Sequence, residues 1–171
     1  MAKKSVFLTG ATALLGEVSQ ATARLAAGKI VVDLVKIGPW YSGEFAESWV
    51  VKPGKTPIKA TKEPKSPRPK EKTPRRPVGN IPFPATLRGS GYSSYVIGNQ
   101  MTYRNVAMDL VPGRVERAAQ LSAPRDWYRL YIEGGVMATS LKEAYGLAID
   151  SPKVKGFKKN ILIGPAGVLK R

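Results

Sequence analysis

Hydrophobic residues repeat at helical spacing through the first forty positions of the chain. Alternating steps of four and three residues separate Leu14, Val18, Ala21, Leu25, Gly28, Val32 and Val35. This pattern predicts an amphipathic helix of about 25 residues. We expect it to begin at a cap formed by Thr9 or Thr12 and to end at Gly38-Pro39. Its second half is apolar on nearly every side, so we expect burial on more than one face.

Two short segments after this helix are typical of paired strands. A Ser42-Gly43 turn leads into aromatic and β-branched residues, which predict a strand over 46–51, and 91–98 predict a second strand that pairs with it. Residues 101–109 favour a short helix and 127–132 (WYRLYI) a further strand. We expect a last helix over 140–149, capped by Ser140 and ended by Ser151-Pro152. The order predicts an α+β fold, with the long N-terminal helix packed on a small, mainly antiparallel sheet.

A basic, proline-rich segment lies between the two strands. Residues 52–88 contain nine prolines and eleven Lys or Arg residues, against two acids, Glu63 and Glu71. Proline removes amide donors and the lysines repel one another, so we expect a long extended or disordered hairpin loop. Two domains joined by a linker are the alternative, but residues 1–51 are few for a stable domain.

We therefore predict a single domain. An N-terminal arm (1–11) precedes an α+β core (12–51 and 89–152), from which the basic loop (52–88) and a basic C-terminal tail (153–171) extend.

The net charge of +16 is concentrated in the loop and the tail, because residues 153–171 carry six basic residues and no acid. The candidate contact residues of the loop are Lys55, Lys59, Lys62, Lys65, Arg68, Lys70, Lys72, Arg75 and Arg76. Those of the tail are Lys153, Lys155, Lys158 and Lys159. Three uses stay open: contact with an acidic protein surface, screened contact with DNA phosphates, or solubility alone.

The composition removes most catalytic chemistry. The chain has no cysteine and no histidine, which excludes disulfides, thiol nucleophiles and imidazole metal sites. It has no Gly-x-x-x-x-Gly-Lys-Ser/Thr phosphate loop, no Gly-x-Ser-x-Gly motif and no closely spaced carboxylate cluster that suggests a site for a hard metal ion. We expect no enzyme, cofactor or metal. The absence of a signal peptide pattern and of a long apolar run predicts a protein without a membrane segment.

One segment competes with this interpretation. Residues 6–16, VFLTGATALLG, resemble the opening of short-chain dehydrogenases, and Asp33 falls near the ribose-binding acid of that family. However, Ala13 stands where the family has its middle glycine, and no tyrosine has a lysine four residues later. The dinucleotide interpretation requires a strand over 30–33, which excludes the predicted helix.

Other motifs cover roughly residues 18–150. A helix ending in Gly38-Pro39, the turn Tyr41-Ser42-Gly43 and a strand ending in SWVV (48–51) are followed later by YVIGNQMTY (95–103). These motifs resemble the minor tail-component proteins of long-tailed double-stranded DNA phages. Two features depart from that family: the loop is unusually long and basic, and LVPG (110–113) replaces a glutamate-glycine run.

The resemblance implies a structural virion protein of the phage neck or tail, acting in head-tail joining or tail completion. Such proteins form homo-oligomeric rings between portal and tail, and they assemble in the host cytoplasm. The implied partners are further copies of the chain, the portal or connector, tail-tube or terminator proteins and DNA phosphates in the lumen.

Candidate core or subunit-interface residues are Trp40, Tyr41, Phe45, Trp49 and Tyr103. The alternative from another functional class is a basic nucleic-acid-binding protein, for example one associated with ribosomes or DNA.

Overall fold

The computed structural model describes residues 2–40, 43–64, 92–108, 123, 126–152 and 154–155, with side chains from residue 12 onward. Its elements are α1 (Ala2–Ile37), α2 (Glu44–Glu47), β1 (Trp49–Pro53), β2 (Tyr95–Asn99), α3 (Arg104–Ala107), α4 (Trp127–Glu133) and α5 (Val136–Asp150). The α+β prediction is confirmed: α1 packs with α5 and with a two-stranded antiparallel sheet. Within the described ranges, no helix has the length and apolarity needed to cross a membrane.

The first helix ends as predicted but begins earlier. The amide of Gly38 donates to the carbonyl oxygen of Leu34 at 3.0 Å, and Pro39, which has no N–H, follows. The predicted cap at Thr9 or Thr12 is wrong, because α1 begins at Ala2 and residues 2–11 are helical rather than a separate arm. This stretch contains no proline, and threonine inside a helix costs less than about 1 kcal/mol relative to alanine.

The buried face of α1 differs from the predicted stripe. Two members of the stripe, Gly28 and Val35, are buried, and the other five are half-buried: Leu14, Val18, Ala21, Leu25 and Val32. Ala27, Val31 and Leu34, which lie outside the stripe, are also buried. The expectation that the second half is buried on more than one side is confirmed, because one core cluster contains Leu34 and another contains Val31. Because this half is apolar on nearly every side, periodicity alone does not select its inner face.

The two predicted strands pair as expected. Strands β1 and β2 are antiparallel, and Val51 lies opposite Ile97. The predicted start of the first strand is wrong, since residues 44–47 form the helical turn α2 after Gly43, whose φ is 87°. Ser48 Oγ donates to the carbonyl oxygen of Glu44 at 2.7 Å and closes that turn. This turn places Phe45 in the core.

The beginning of the basic segment is part of the core. Lys52 and Pro53 belong to β1, and Ile58 is buried against Gly98. The amides of Thr61 and Lys62 both donate to the carbonyl oxygen of Gln100 at 2.9 Å. The predicted boundary of the extended loop at residue 52 is therefore wrong for Lys52 and Pro53, and residues 54–64 are an extended segment that is anchored to the sheet. The remainder of that loop, 65–88, lies outside the described residues.

The segment WYRLYI is a helix rather than the predicted strand. Trp127 and Tyr131 lie four residues apart in α4, and both are 2% exposed. Trp127 Nε1 also donates to the carbonyl oxygen of Ala107 at 2.8 Å. Packing of two rings from one helical face overrides the strand preference of aromatic and β-branched residues.

Two further helix predictions are partly confirmed. The short helix expected over 101–109 is α3, which is limited to Arg104–Ala107. Helix α5 ends before Ser151-Pro152 as predicted, but it begins at Val136 after Gly135, which has φ 87°. The predicted cap is wrong, because Ser140 is buried inside the helix.

Candidate functional site

Asn99 joins the hairpin to the turn after α1. Its Nδ2 donates to the carbonyl oxygen of Phe45 at 2.7 Å, and its Oδ1 accepts from the amide of Met101 at 3.0 Å. The side chain is 1% exposed, so both bonds form away from water. The motif that carries the phage resemblance in the second half of the chain thus holds α2 against the end of β2.

Aromatic residues gather around Phe45. Trp49 and Trp127 pack against its ring edge-on, with centroid separations of 5.7 and 6.4 Å. Tyr103 lies 6.2 Å away in a tilted arrangement. Burial, and then the charge of Glu44, raise the pKa of Tyr103. Three of the aromatic candidates, Phe45, Trp49 and Tyr103, therefore pack together with Trp127 in one cluster.

Trp40 is also buried, with its ring against Gly43. Tyr41 lies outside the described residues. A residue at position 43 with a side chain would contact the Trp40 ring and be strained by the positive φ. Trp40 and Phe45 are therefore core residues of the domain.

Asp33 connects α1 to α4 and α5. Its Oδ2 accepts hydrogen bonds from Ser140 Oγ at 2.5 Å and from Tyr131 Oη at 3.3 Å. Burial, followed by the charge of Asp33, raises the pKa of Tyr131. Two hydroxyls on one carboxylate make a clamp between three helices. Residues 30–33 are helical, so the strand required by the dinucleotide-binding interpretation is absent.

A cleft of about 260 Å³ lies beside β2. Trp49, Ile58, Arg104 and Tyr128 are among the residues that line it. Arg104 Nη1 donates to the carbonyl oxygens of Ile58 at 2.8 Å and of Asn99 at 2.9 Å. The guanidinium thus fixes the start of the basic segment to the sheet. Burial raises the pKa of Tyr128 on the cleft wall.

The structure places only some of the predicted basic residues. Lys55, Lys59 and Lys62 are exposed on the segment that Arg104 anchors. Lys155 lies 3.4 Å from Asp150 through Nζ and Oδ1. The other candidates lie outside the described residues: Lys65, Arg68, Lys70, Lys72, Arg75, Arg76, Lys153, Lys158 and Lys159.

Helices α4 and α5 expose large apolar side chains that the sequence interpretation missed. These residues are Leu130, Ile132, Val136, Leu141, Tyr145 and Leu147. Tyr145 is 52% and Leu147 is 56% exposed. The buried face of α5 consists instead of small residues four apart, Ser140, Ala144 and Ala148. Small residues at four-residue spacing mark the side of a helix that packs closely on another helix, here the side of α5 that faces α1. This spacing is the signal in the sequence from which the exposed side of α5 could have been predicted.

In the part of the chain that the structure describes, no group of three or more acidic side chains is arranged to hold a metal ion. Comparisons with protein-family models, with curated proteins and with solved structures found no significant match to this chain.

Proposed function

We propose that this chain is a structural, non-enzymatic subunit of the neck or tail of a long-tailed phage. In this proposal, copies of the chain form a ring between portal and tail, as head-tail joining or tail-completion proteins do. It assembles in the host cytoplasm and remains in the virion. The observation that carries the proposal is the set of large apolar side chains that α4 and α5 expose.

The amount of exposed apolar surface suits a subunit contact. A large side chain carries roughly 150–250 Å² of surface, so the six exposed residues present on the order of 500 Å². A stable interface buries about 800 Å² on each partner, and a little over half of that is apolar. Self-association is the use that a ring requires.

The positions of the resembling motifs also support this proposal. Gly38 ends α1 against Trp127, and Asn99 holds the turn that carries Phe45. These residues hold the helix, the turn and the hairpin together, and they do not line a pocket suited to catalysis. The motifs thus account for packing, which is the main requirement on a structural subunit.

The exposed lysines of the anchored segment have a role in the same proposal. Lys55, Lys59 and Lys62 project from a backbone that is hydrogen-bonded to the sheet. They are positioned to meet an acidic surface of a portal, connector, tail-tube or terminator protein. Contact with DNA phosphates in the lumen is the other use of the same charges, and it would weaken steeply with added salt.

Mass determination by light scattering tests the proposal. Nuclease-treated protein is measured alone and with portal or tail assemblies, at low and high salt. Stoichiometric recruitment to those assemblies is the expected result. A protein that ignores them but binds nucleic acid tightly, with a steep loss of affinity at high salt, would contradict the proposal and establish the nucleic-acid-binding alternative.

A further inference from the structure

The cleft beside β2 combines one cationic side chain with apolar walls. Arg104 lines it together with Ile58 and Val96, and its volume is about 260 Å³. Sites for cofactors and other small molecules usually occupy roughly 300–1,000 Å³. The space therefore suits a single side chain of another protein better than a cofactor.

The guanidinium of Arg104 is held in one orientation and still has donors to offer. Its Nη1 donates to the carbonyl oxygens of Ile58 and Asn99, at 2.8 and 2.9 Å. An arginine side chain carries five N–H groups, so those on Nε and Nη2 remain. In the part of the chain that the structure describes, no acidic side chain pairs with this half-buried cation. Such a cation is completed by an anion, and its planar fork matches a carboxylate.

Tyr128 brings a neutral donor to the same cleft. Its ring packs edge-on against Trp127, with the centroids 5.6 Å apart, so the position of the phenol is fixed. Burial raises the pKa of Tyr128, and the hydroxyl therefore keeps its proton. A phenol beside a guanidinium supplies a further hydrogen bond to a carboxylate.

The segment along the cleft is positively charged on its solvent side. Pro57 and Ile58 line the cleft, and the exposed Lys55 and Lys59 lie on either side of them in the sequence. Within the described ranges, neither lysine has an acidic partner. The charge around the cleft therefore favours an acidic partner surface over a neutral one.

The apolar walls distinguish a carboxylate side chain from a phosphate. Both groups match the fork of an arginine. The methylene groups of a glutamate can lie against Ile58 and Val96, as the stems of charged side chains do on apolar surfaces. A phosphate in a nucleic-acid backbone is bonded to a sugar on each side, which a cleft of about 260 Å³ does not admit.

We propose that this cleft binds one glutamate side chain of a partner protein. The carboxylate accepts from Arg104 and Tyr128, and the methylene groups contact Ile58 and Val96. The exposed lysines of the same segment meet the acidic surface around that glutamate. This inference rests on the proposed function and specifies how a portal, connector or tail protein is recognised.

Protection of an introduced thiol tests the cleft, because the chain contains no cysteine. Asn105→Cys places a thiol among the lining residues, and Ser93→Cys places one at an exposed position outside them. The probe is the capped peptide Gly-Leu-Glu-Leu-Gly, and the matched peptide has glutamine in place of glutamate. The glutamate peptide should slow modification by an uncharged maleimide at position 105, with half-protection on the order of 1 mM, and should not slow it at position 93.

The glutamine peptide should protect position 105 roughly fivefold more weakly, because it makes no charge-assisted bond to Arg104. Equal protection by both peptides, equal protection of both positions, or no protection at position 105 would overturn the proposal. Protection by a single-stranded oligodeoxynucleotide and not by the glutamate peptide would assign the cleft to phosphate and overturn it as well.

Loss of one hydroxyl provides the second measurement. Tyr128→Phe, combined with Asn105→Cys, should weaken protection by the glutamate peptide by roughly fivefold, the effect of one hydrogen bond. Tyr92→Phe in the same background removes a hydroxyl outside the cleft and should leave protection unchanged. Equal protection in the two double variants would overturn the assigned contact. Unchanged circular dichroism separates loss of binding from loss of folding.

The two proposals fail in different ways. Selective protection by the glutamate peptide without recruitment to portal or tail assemblies supports the cleft and contradicts the phage function. Asn105→Asp adds a negative charge among the lining residues and should weaken recruitment by roughly tenfold. Recruitment that Asn105→Asp leaves unchanged, with no protection by the peptide, retains the phage function and overturns the cleft.

Discussion

The side-chain nitrogen of Asn99 donates a hydrogen bond to the carbonyl oxygen of Phe45 at 2.7 Å, although 54 residues separate them in the sequence. This bond joins the end of β2 to the turn that follows α1. It spans the whole basic loop, so it closes the hairpin at the side opposite to that loop. A buried amide with both ends occupied is expensive to replace.

Asn99→Asp should destabilise the fold by about 2 kcal/mol or more, because it removes the donor to Phe45 and buries a carboxylate beside a carbonyl oxygen. Asn105→Asp makes the same chemical change at an exposed position of α3 and should alter the free energy of unfolding by less than about 0.5 kcal/mol. Denaturant titration measures both. Equal losses in the two variants would contradict the structural role of Asn99.

Arg104→Lys should loosen the anchored start of the basic segment without unfolding the sheet. Lysine does not reproduce the planar fork of arginine, so the paired bonds to the carbonyl oxygens of Ile58 and Asn99 are weakened. Hydrogen exchange should become faster at the amides of Thr61 and Lys62, while the β1–β2 amides stay protected. Arg129→Lys, at an exposed position on α4, is the control. Unchanged exchange at residues 61 and 62 would show that Arg104 does not anchor them.

Alkaline pH should destabilise the protein through Tyr131. Burial and Asp33 oppose the phenolate, so the folded chain holds this proton to higher pH than the unfolded chain does. The resulting contribution to the free energy of unfolding is complete below about pH 10 and is lost as the pH rises through the raised pKa. Tyr131→Phe should therefore show a smaller loss of stability between neutral pH and about pH 11.

Tyr92→Phe, at an exposed ring, is the control for the loss of a phenolic hydroxyl as such. Part of the slope should remain in Tyr131→Phe, because the pKa values of Tyr103 and Tyr128 are raised in the same direction. A variant curve parallel to the wild-type curve would contradict the assignment.

Gly16 inside α1 and Gly38 directly after its last residue should respond to alanine with opposite signs. A Cβ at Gly38 would lie 2.6 Å from the carbonyl oxygen of Leu34 and 3.2 Å from the Trp127 ring, so Gly38→Ala should destabilise. At Gly16 no atom lies within 4 Å, and Gly16→Ala should stabilise the helix by about 0.5–1 kcal/mol. Thermal unfolding at low protein concentration, where association is weak, distinguishes the two. Stabilisation by both substitutions would show that Gly38 is not in close contact.

Local signals in the sequence were sufficient for part of the fold. Gly38-Pro39 ends α1 wherever it packs, because proline lacks the donor, and the apolar strands on either side of the basic loop pair as predicted. Helix α4, which the sequence interpretation assigned to a strand, has no local residue signal of this kind that identifies it as a helix. WYRLYI fits a strand by composition, and the four-residue spacing of Trp127 and Tyr131 becomes decisive only once both rings have a core to enter.

The exposed apolar side chains of α4 and α5 were harder to predict than the fold, because a large apolar residue is normally expected to lie in the core. Tyr145 and Leu147 face outward because Ala144 and Ala148 take the close contact with the rest of the domain. The sequence shows which residues are apolar, but it does not show which face of a helix packs against the rest of the domain. Likewise, Ile58 looks like an isolated apolar residue in a basic loop, and only its packing on Gly98 shows that it is an anchor.

Sedimentation velocity of the nuclease-treated protein tests the central claim most directly, with wild type and Tyr145→Glu compared over a range of concentrations at low and high salt. We expect the wild type to form one discrete oligomer that persists at high salt, because its contact is apolar, and the variant to dissociate toward monomer. A wild-type protein that stays monomeric at every concentration and gains mass only with nucleic acid would contradict the account.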